Sequence, residues 1–218
     1  MFIATAAEGR AHFGLEAEGR VLLSVGGSLG ARSINEMIIN HLHFFRENRI
    51  QLLWQTGRWM YDEAVRAVEN AGVGQWVKVH QFISRMDLAY AATDIVVSRA
   101  GAIAISELCL VGKPVVLIPS PNVAEDHQTK NAMALVDRGA AIMVKDADCN
   151  SQGLSTVKDL FESPDRQASM RTAISKMAVR HAADKIVDQI SELLYGKPKQ
   201  TPAPLPDELQ QLENLKNL

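Results

Sequence analysis

Short apolar runs alternate along the chain with longer segments whose apolar residues recur at helical spacing. The runs lie at Val21–Val25, Gln51–Gln55, Val77–Val79, Ile95–Ser98, Val115–Ile118 and Ala141–Val144. Their residues are almost continuously apolar, which is typical of strands in a sheet that is covered on both faces. We therefore predict a series of buried strands.

The segments between these runs predict helices at Ile34–Phe45, Tyr61–Ala71, Ile103–Val111 and Asn131–Val136. A repeated order of strand, helix and strand favours a parallel sheet with helices on both faces and right-handed crossovers. Beyond Ser151 the pattern is purely helical, with one helix from Pro164 toward His181 and another that reaches Tyr195. The predicted fold class is α/β, a doubly wound parallel sheet with extra C-terminal helices, and residues 196–218 form a proline-containing tail.

Composition narrows the function classes. The chain of 218 residues is 47% hydrophobic and has a net charge of −2, which is enough apolar material for a core and does not indicate a nucleic-acid partner. The two cysteines form no spaced framework, and Cys109, in an apolar helical segment, is interpreted as a reduced, buried thiol. The sequence has neither a transmembrane-length apolar run nor a signal peptide, so a cytoplasmic location fits.

A glycine-rich turn follows the first predicted strand directly. It runs from Gly26 to Ala31, contains Gly27, Ser28 and Gly30, and opens a helix. Backbone N–H groups in such a turn can approach a phosphate, and the helix dipole favours an anion there. The spacing does not match the dinucleotide fingerprint, which needs glycine where Ser28 stands, and Gly-Lys-Ser/Thr of a phosphate-loop NTPase is missing. A tight turn without a ligand is the alternative.

A second turn, Ser98-Arg99-Ala100-Gly101-Ala102, follows the strand at Ile95–Ser98. If the strand order is 3-2-1-4-5-6, the two turns face one crevice at the carboxyl ends of neighbouring strands, where ligands bind in this fold. Two converging helix N-termini suit a diphosphate, and Glu107, one turn into the helix, could reach a ribose diol. Solvated surface charges are the alternative for Arg99 and Glu107.

A polar loop from Pro119 to Asn131 follows the fifth strand. Its side chains could bind sugar hydroxyls at the same edge of the sheet. The alternative is a simple polar N-cap, a role that Asp126 alone could fill.

Taken together, these segments resemble the MurG family of UDP-N-acetylglucosamine transferases, which make lipid II from lipid I. The matching stretches occur in order over about residues 13–145: VGGSLGARSIN, LLWQTGR, VHQFISRMDLAYAATDIVVSRAGAIAISEL, GKPVVLIPSPNVAEDHQTKNA and LVDRGAA. The resemblance implies a two-domain GT-B fold of which residues 13–195 are the Rossmann-like, donor-binding C-terminal half. Residues 1–12 would be a linker remnant, and the N-terminal acceptor domain is expected to be missing.

The resemblance also implies the donor contacts. Phe82 and Ile83 match the uracil site, with the Ile83 backbone on the base edge, and Glu107 matches the acceptor of the ribose hydroxyls. Ser28 and the backbone of Gly101, Ala102 and Ile103 match diphosphate contacts, with Arg99 nearby. Gln128 and Asn131, with His127 beside them, match partners of the sugar hydroxyls. The family often has Thr or Ser where this chain has Ala104, so one hydroxyl contact to phosphate is expected to be lost.

The implied reaction is an inverting transfer of N-acetylglucosamine from UDP-N-acetylglucosamine to lipid I on the cytoplasmic face of the bacterial membrane, where the enzyme is peripheral. No cofactor or metal is expected, and Asp146-Ala147-Asp148 is interpreted as an exposed turn. We find no convincing catalytic base, and the resemblance places it in the N-terminal domain. Another UDP-sugar GT-B enzyme, such as an epimerase, and a non-catalytic nucleotide-sugar-binding module remain alternatives.

Overall fold

The computed structural model describes residues 4–180 and 182–196, so the predicted tail beyond residue 196 lies outside the described residues. The described strands are β1 (Arg20–Val25), β2 (Ile50–Gln55), β3 (Val77–His80), β4 (Ile95–Ser98), β5 (Val115–Leu117) and β6 (Ile142–Met143). They form one parallel sheet in the order β3-β2-β1-β4-β5-β6. The predicted doubly wound parallel sheet and its strand order are confirmed.

The helices between and after the strands are α1 (Ala6–His12), α2 (Arg32–Asn40), α3 (His43–Glu47), α4 (Tyr61–Ala71), α5 (Met86–Ala92), α6 (Ala102–Val111), α7 (His127–Val136), α8 (Cys149–Phe161), α9 (Pro164–Ser175) and α10 (Ala182–Tyr195). The single helix predicted over Ile34–Phe45 is wrong. The chain leaves the first helix at His41, whose N–H bonds to the Ile38 carbonyl, and α3 starts two residues later.

Strand residues alternate between two apolar cores, one on each face of the sheet. Leu22, Trp54 and Val97 join the core formed with α2, α3, α4 and α8, whereas Leu23, Leu53 and Val96 join the core formed with α5, α6 and α7. This alternation follows from the two-residue period of a strand. Because helices cover both faces of the sheet, a ligand can reach polar groups of the strands only at the strand ends.

The described residues fall into two units, of which the first ends at Val179 and the second begins at Arg180. Residues 1–12 include α1, which is capped by Thr5 and packs against α5 in the first unit. In the second unit, α10 has an apolar face with Ile186, Ile190 and Leu194 at least half exposed. Among the described residues, no helix is both long and apolar enough to span a membrane.

Both cysteines are free thiols in buried positions, as predicted for Cys109. Burial, with the nearby Asp146 carboxylate, raises the pKa of the Cys149 thiol to about 11. These thiols therefore behave as small core residues.

Candidate functional site

The predicted site residues follow one row of residues at the carboxyl edge of the sheet. Across the strands, the register pairs His80 with Gln55, Gln55 with Val25, Val25 with Ser98, and Ser98 with Leu117. The first glycine turn begins directly after Val25, and the second begins at its register partner Ser98. The two turns therefore leave neighbouring strands at the same level, as the predicted strand order requires.

The first turn depends on glycine at two positions. Gly27 has a φ of 78° and Gly30 a φ of 86°, in the left-handed region, and the Gly30 N–H bonds to the Gly27 carbonyl at 3.1 Å. A Cβ on Gly30 would collide with the Thr56 carbonyl oxygen. Between these two glycines, Ser28 is exposed at the tip of the turn.

The second turn uses its glycine differently. Gly101 has a φ of −68°, which any residue adopts, and it occupies the N-cap of α6. Apart from its two chain neighbours, no described residue has an atom within 4 Å of the position where a Cβ on Gly101 would be. The Gly101 backbone is thus open on that side, and Ile103, in the first turn of α6, is 78% exposed.

The N-termini of α2 and α6 are both left uncapped. Neither Ala31 nor Gly101, their N-cap residues, makes a side-chain capping bond, and neither helix has an acidic residue in its first turn. Six other described helices, α3, α4, α5, α7, α8 and α9, also lack a side-chain capping bond, whereas α1 starts with a complete capping box of Thr5 and Glu8. What distinguishes α2 and α6 is that they follow the register partners Val25 and Ser98. The first N–H groups of α2 and α6 keep their hydrogen-bonding capacity and their partial positive charge, which favours an anion.

Glu107 lies in the second turn of α6 with its carboxylate exposed. Its Oε2 atom accepts a hydrogen bond of 3.2 Å from the hydroxyl of Tyr90, a buried residue of α5. Burial and the negative charge of Glu107 raise the pKa of the Tyr90 phenol, which keeps it a donor. The sequence analysis missed Tyr90, because a tyrosine within an apolar helix is indistinguishable from a core residue.

Gln55, a buried residue at the end of β2, joins the first turn to the predicted uracil segment. Its Nε2 donates to the Gly27 carbonyl at 3.1 Å, and its Oε1 accepts the Ile83 N–H at 2.9 Å. Ile83 is buried and Phe82 is 61% exposed. Since the Ile83 N–H is already donated, its carbonyl is the backbone group left to read a base edge.

Gln128 and Asn131, on the first turns of α7, hold the second turn in place. Gln128 Oε1 accepts the N–H groups of Ser120 at 2.9 Å and Ala100 at 3.3 Å, and Asn131 Nδ2 donates to the Ala100 carbonyl at 3.1 Å. These bonds leave Gln128 Nε2 and Asn131 Oδ1 for a ligand. His127 is exposed, and its Nδ1 lies 2.9 Å from the Ala124 carbonyl.

The N-cap of α7 is unusual. Asp126 occupies it in the left-handed region, with a φ of 51°, and makes no side-chain capping bond. Glu125 before it has a φ of 55°. Consecutive non-glycine residues rarely adopt this conformation. The alternative interpretation of this loop as a simple polar cap by Asp126 therefore has no support.

Arg99 is held by protein groups at the sheet edge. Its guanidinium bonds to the Asp146 carboxylate at 2.5 Å, to the Ile118 carbonyl at 3.0 Å and to the Ser33 hydroxyl at 3.0 Å. The prediction of an exposed turn at Asp146–Asp148 is wrong, because both aspartates are partly buried and Asp146 carries this ion pair. The sequence analysis missed this ion pair because its two residues lie 47 positions apart in the chain.

A cavity of about 480 Å³ lies beside the first turn, on its β2 side. It is lined by residues of that turn, α2 and the start of α4: Leu29, Gly30, Arg32, Asn35, Glu36, Trp59, Met60 and Glu63. Trp59 is 72% exposed, and the Arg58 guanidinium lies 4.5 Å from its ring centroid. This hollow flanks the glycine turn on the side away from α6.

Comparison with known proteins identifies the family. The model of the glycosyltransferase family 28 C-terminal domain matches residues 21–186, which is most of the chain. The chain belongs to this family. The fold of this family 28 domain is also found in the crystal structure of MurG from Acinetobacter baumannii, with a TM-score of 0.71 and 25% identity over 88% of this chain and 54% of that one.

Curated relatives of the family 28 domain are closer in sequence. The UDP-N-acetylglucosamine–N-acetylmuramyl-(pentapeptide) pyrophosphoryl-undecaprenol N-acetylglucosamine transferase of Parabacteroides distasonis is 49% identical over 190 residues, 87% of this chain and 51% of the relative. The transferase of that name from Porphyromonas gingivalis strain W83 is also 49% identical, over 84% of this chain and 48% of the relative. The chain therefore spans about half the length of these relatives.

In this family 28 domain, the predicted contacts differ in exposure and in their present partners. Ser28, Ala102 and Ile103 are exposed on the two turns. A polar group is already bonded to protein in each of Gly27, Ile83, Arg99, Glu107, Gln128 and Asn131. Their contacts to a ligand stay predictions. Within the described residues, no group of three or more His, Cys, Asp or Glu side chains is placed to hold a metal ion.

Proposed function

We propose that this domain binds UDP-N-acetylglucosamine, as the donor half of a transferase that converts lipid I to lipid II in peptidoglycan synthesis. The observation that carries the proposal is the pair of uncapped helix N-termini, α2 and α6, which follow the register partners Val25 and Ser98. The close curated relatives bear the name of that transferase.

The diphosphate fits between the two turns, with one phosphate on the Ser28 side and the other on the Gly101 backbone. Each helix N-terminus stabilises an anion by about 0.3–1 kcal/mol at exposed sites, and by more where water is excluded. The open side of Gly101 permits the close approach that a phosphate needs. The glycines of the first turn serve both its backbone conformation and that approach.

The other parts of the donor extend from the diphosphate in two directions. The ribose hydroxyls reach Glu107, and uracil lies against exposed Phe82, with its N3–H directed to the Ile83 carbonyl. On the other side, the N-acetylglucosamine ring reaches Gln128 Nε2 and Asn131 Oδ1. This assignment uses the polar atoms that the internal bonds of these side chains leave.

The chemistry required of this domain is stabilisation of the departing UDP. The acceptor hydroxyl attacks the anomeric carbon, the bond to the diphosphate oxygen breaks, and the configuration inverts. Negative charge then grows on the diphosphate, where the dipoles of α2 and α6 are already oriented. The resemblance assigns the acceptor site and the base to the N-terminal half of the family's enzymes.

The acceptor class also implies a location. Lipid I is a membrane lipid, so the complete enzyme works as a peripheral protein on the cytoplasmic face of the membrane. The described helix α10 combines its apolar face with Asp184, Lys185, Asp188 and Glu192, an excess of negative charge. Because anionic lipids attract basic helices, we assign no lipid contact to α10.

Calorimetric titration tests donor binding. UDP-N-acetylglucosamine and UDP should both give one-site binding heat, whereas ADP, which has the same diphosphate but lacks the uracil N3–H proposed to reach the Ile83 carbonyl, should bind more weakly. In an amide NMR spectrum, the signals of Ser28 and Gly101 should shift with UDP. Absence of heat with both uridine ligands would refute the proposal, and shifts confined to residues away from both turns would refute the site.

Product analysis separates the alternatives. One reaction contains the chain and UDP-N-acetylglucosamine. A parallel reaction contains, in addition, lipid I and an N-terminal domain from a relative, and transfer should occur only there. UDP-sugar recovered with inverted configuration at sugar C2 would instead indicate an epimerase. Binding without transfer under either condition would favour a nucleotide-sugar-binding module.

A further inference from the structure

The phenol of Tyr90 and the carboxylate of Glu107 join two helices that carry different parts of the candidate site. Tyr90 lies on α5, which follows the segment of Phe82 and Ile83, and Glu107 lies on α6, which follows the second turn. The Tyr90 ring is only 7% exposed, whereas Glu107 is exposed. A buried donor thus holds an exposed acceptor by a 3.2 Å hydrogen bond.

The direction of this bond is fixed by chemistry. An ionised carboxylate only accepts hydrogen bonds, so the Tyr90 hydroxyl must donate. Its raised pKa, caused first by burial, keeps it protonated at neutral and moderately alkaline pH. The bond occupies one lone-pair position on Oε2, and the remaining positions on both oxygens can accept hydroxyls of a ligand.

A carboxylate that binds a vicinal diol has to present both oxygens in one orientation. A free glutamate side chain on a helix surface samples several rotamers and loses that freedom when a ligand binds. A hydrogen bond to a rigid, buried phenol removes much of this freedom beforehand, which lowers the cost of binding. Tyr90 needs no contact with the ligand to have this effect.

We propose that Tyr90 is a positioning residue, which orients the Glu107 carboxylate for the ribose hydroxyls and so contributes to selectivity for ribonucleotides. The inference rests on the proposed binding of a UDP-sugar at this site. Tyr90 acts through Glu107 alone, so its effect should be confined to ligands that have ribose hydroxyls.

The test compares Tyr90→Phe with the unmodified chain by calorimetry, using UDP and 2′,3′-dideoxy-UDP. Tyr90→Phe keeps the buried ring and removes the hydroxyl, so UDP binding should weaken about threefold to tenfold, as expected for a lost charged hydrogen bond that acts indirectly. Binding of dideoxy-UDP should not change. In a Glu107→Ala background, where the Tyr90 hydroxyl has no side chain to orient, Tyr90→Phe should have no further effect on UDP binding.

A matched control is Tyr61→Phe, which removes the hydroxyl of a half-buried tyrosine on α4 and should leave both affinities unchanged. Should Tyr90→Phe be too unstable to titrate, Tyr90→Met fills the space without a hydroxyl and gives the same comparison. Equal losses for both ligands, or no loss for UDP, would overturn the role of Tyr90. An unmodified chain that binds neither nucleotide would overturn the proposed function instead.

Discussion

The Arg99 guanidinium and the Asp146 carboxylate, 47 residues apart in the chain, form an ion pair at the carboxyl edge of the sheet. The Ser33 hydroxyl donates to the same Asp146 oxygen at 2.5 Å. This network ties the turn after β4 to the start of α2 and to the loop after β6. Arg99 therefore fixes the geometry of the two turns whether or not it also contacts a phosphate.

Asp146→Asn should destabilise the domain. The side chains of Arg99 and Asp146 are 17% and 23% exposed, so loss of the carboxylate leaves a partly buried guanidinium without its counter-charge. We expect the free energy of unfolding in urea to fall by about 1–3 kcal/mol. The control is Asp87→Asn, which breaks the exposed pair with Arg85 and should have little effect because exposed pairs are screened. An equally small effect for Asp146→Asn would show that the network contributes little.

Gly101→Ala and Gly30→Ala should separate ligand binding from stability. Gly101 has an ordinary φ and open space beside it, so alanine should leave the unfolding free energy within about 0.5 kcal/mol. Its methyl group occupies the space proposed for a phosphate, so UDP affinity should fall at least about tenfold, since poor steric fit costs 1–3 kcal/mol. Gly30→Ala meets the Thr56 carbonyl at a left-handed φ and should lower the unfolding free energy by more than about 1 kcal/mol.

These two glycine variants can be measured by urea denaturation and calorimetric titration. If Gly101→Ala binds UDP as tightly as the unmodified chain does, the diphosphate does not lie on this side of the second turn. If Gly30→Ala is as stable as the unmodified chain, the first turn can shift away from Thr56, and the proposed rigidity of the turn is wrong.

Gln55→Leu should weaken both stability and UDP binding. It leaves the Gly27 carbonyl and the Ile83 N–H without their partner in a buried setting, at a cost of about 1–3 kcal/mol for each. Because these groups belong to the first turn and to the uracil segment, both parts of the site lose their alignment. UDP affinity should fall about tenfold, which is a loss of binding free energy of the same order as the loss of stability.

The matched control for Gln55 lies at the other end of the same strand. Gln51 is also buried, and its side chain bonds to the Glu16 N–H at 2.7 Å and to the Glu18 carbonyl at 3.4 Å. Gln51→Leu should therefore reduce stability to a similar degree and leave UDP affinity unchanged. Equal effects of the two variants on affinity would mean that Gln55 acts only through general stability.

The sequence predicts the fold and the location of the site better than it predicts the partners of the side chains. Alternating apolar strands and helices fix the parallel sheet, and the turns after β1 and β4 then meet at its edge because of the strand order. The bond between Tyr90 and Glu107 and the pair of Arg99 with Asp146 depend on how separate elements pack. Local patterns carry no signal for such contacts.

Helix boundaries show the same limit. The apolar spacing over Ile34–Phe45 continues through the break at His41, because α2 and α3 bury Ile38 and Phe45 in the same core. A pattern of apolar residues records which side faces the core and does not record where the backbone turns. The apolar run at Ala141–Val144 likewise extends beyond β6, which has only two residues, because an apolar pattern does not show where a strand begins or ends.

The unfolding free energy should fall as the pH is lowered through the range in which His80 titrates. His80, at the end of β3, is half-buried and packs edge-on against Phe13, with ring centroids 5.5 Å apart. Burial first, and then the charge of His12, lowers the pKa of His80 below its ordinary value of 6.5. In the unfolded chain that value is restored, so the unfolded state binds the proton more readily. The stabilising contribution is therefore fully present above pH 6.5 and is lost as the pH falls through the folded-state pKa.

His80→Gln, measured by urea denaturation between about pH 7.5 and pH 5, should show a shallower dependence on pH than the unmodified chain. A dependence for His80→Gln that is as steep as that of the unmodified chain would mean that other groups control acid stability.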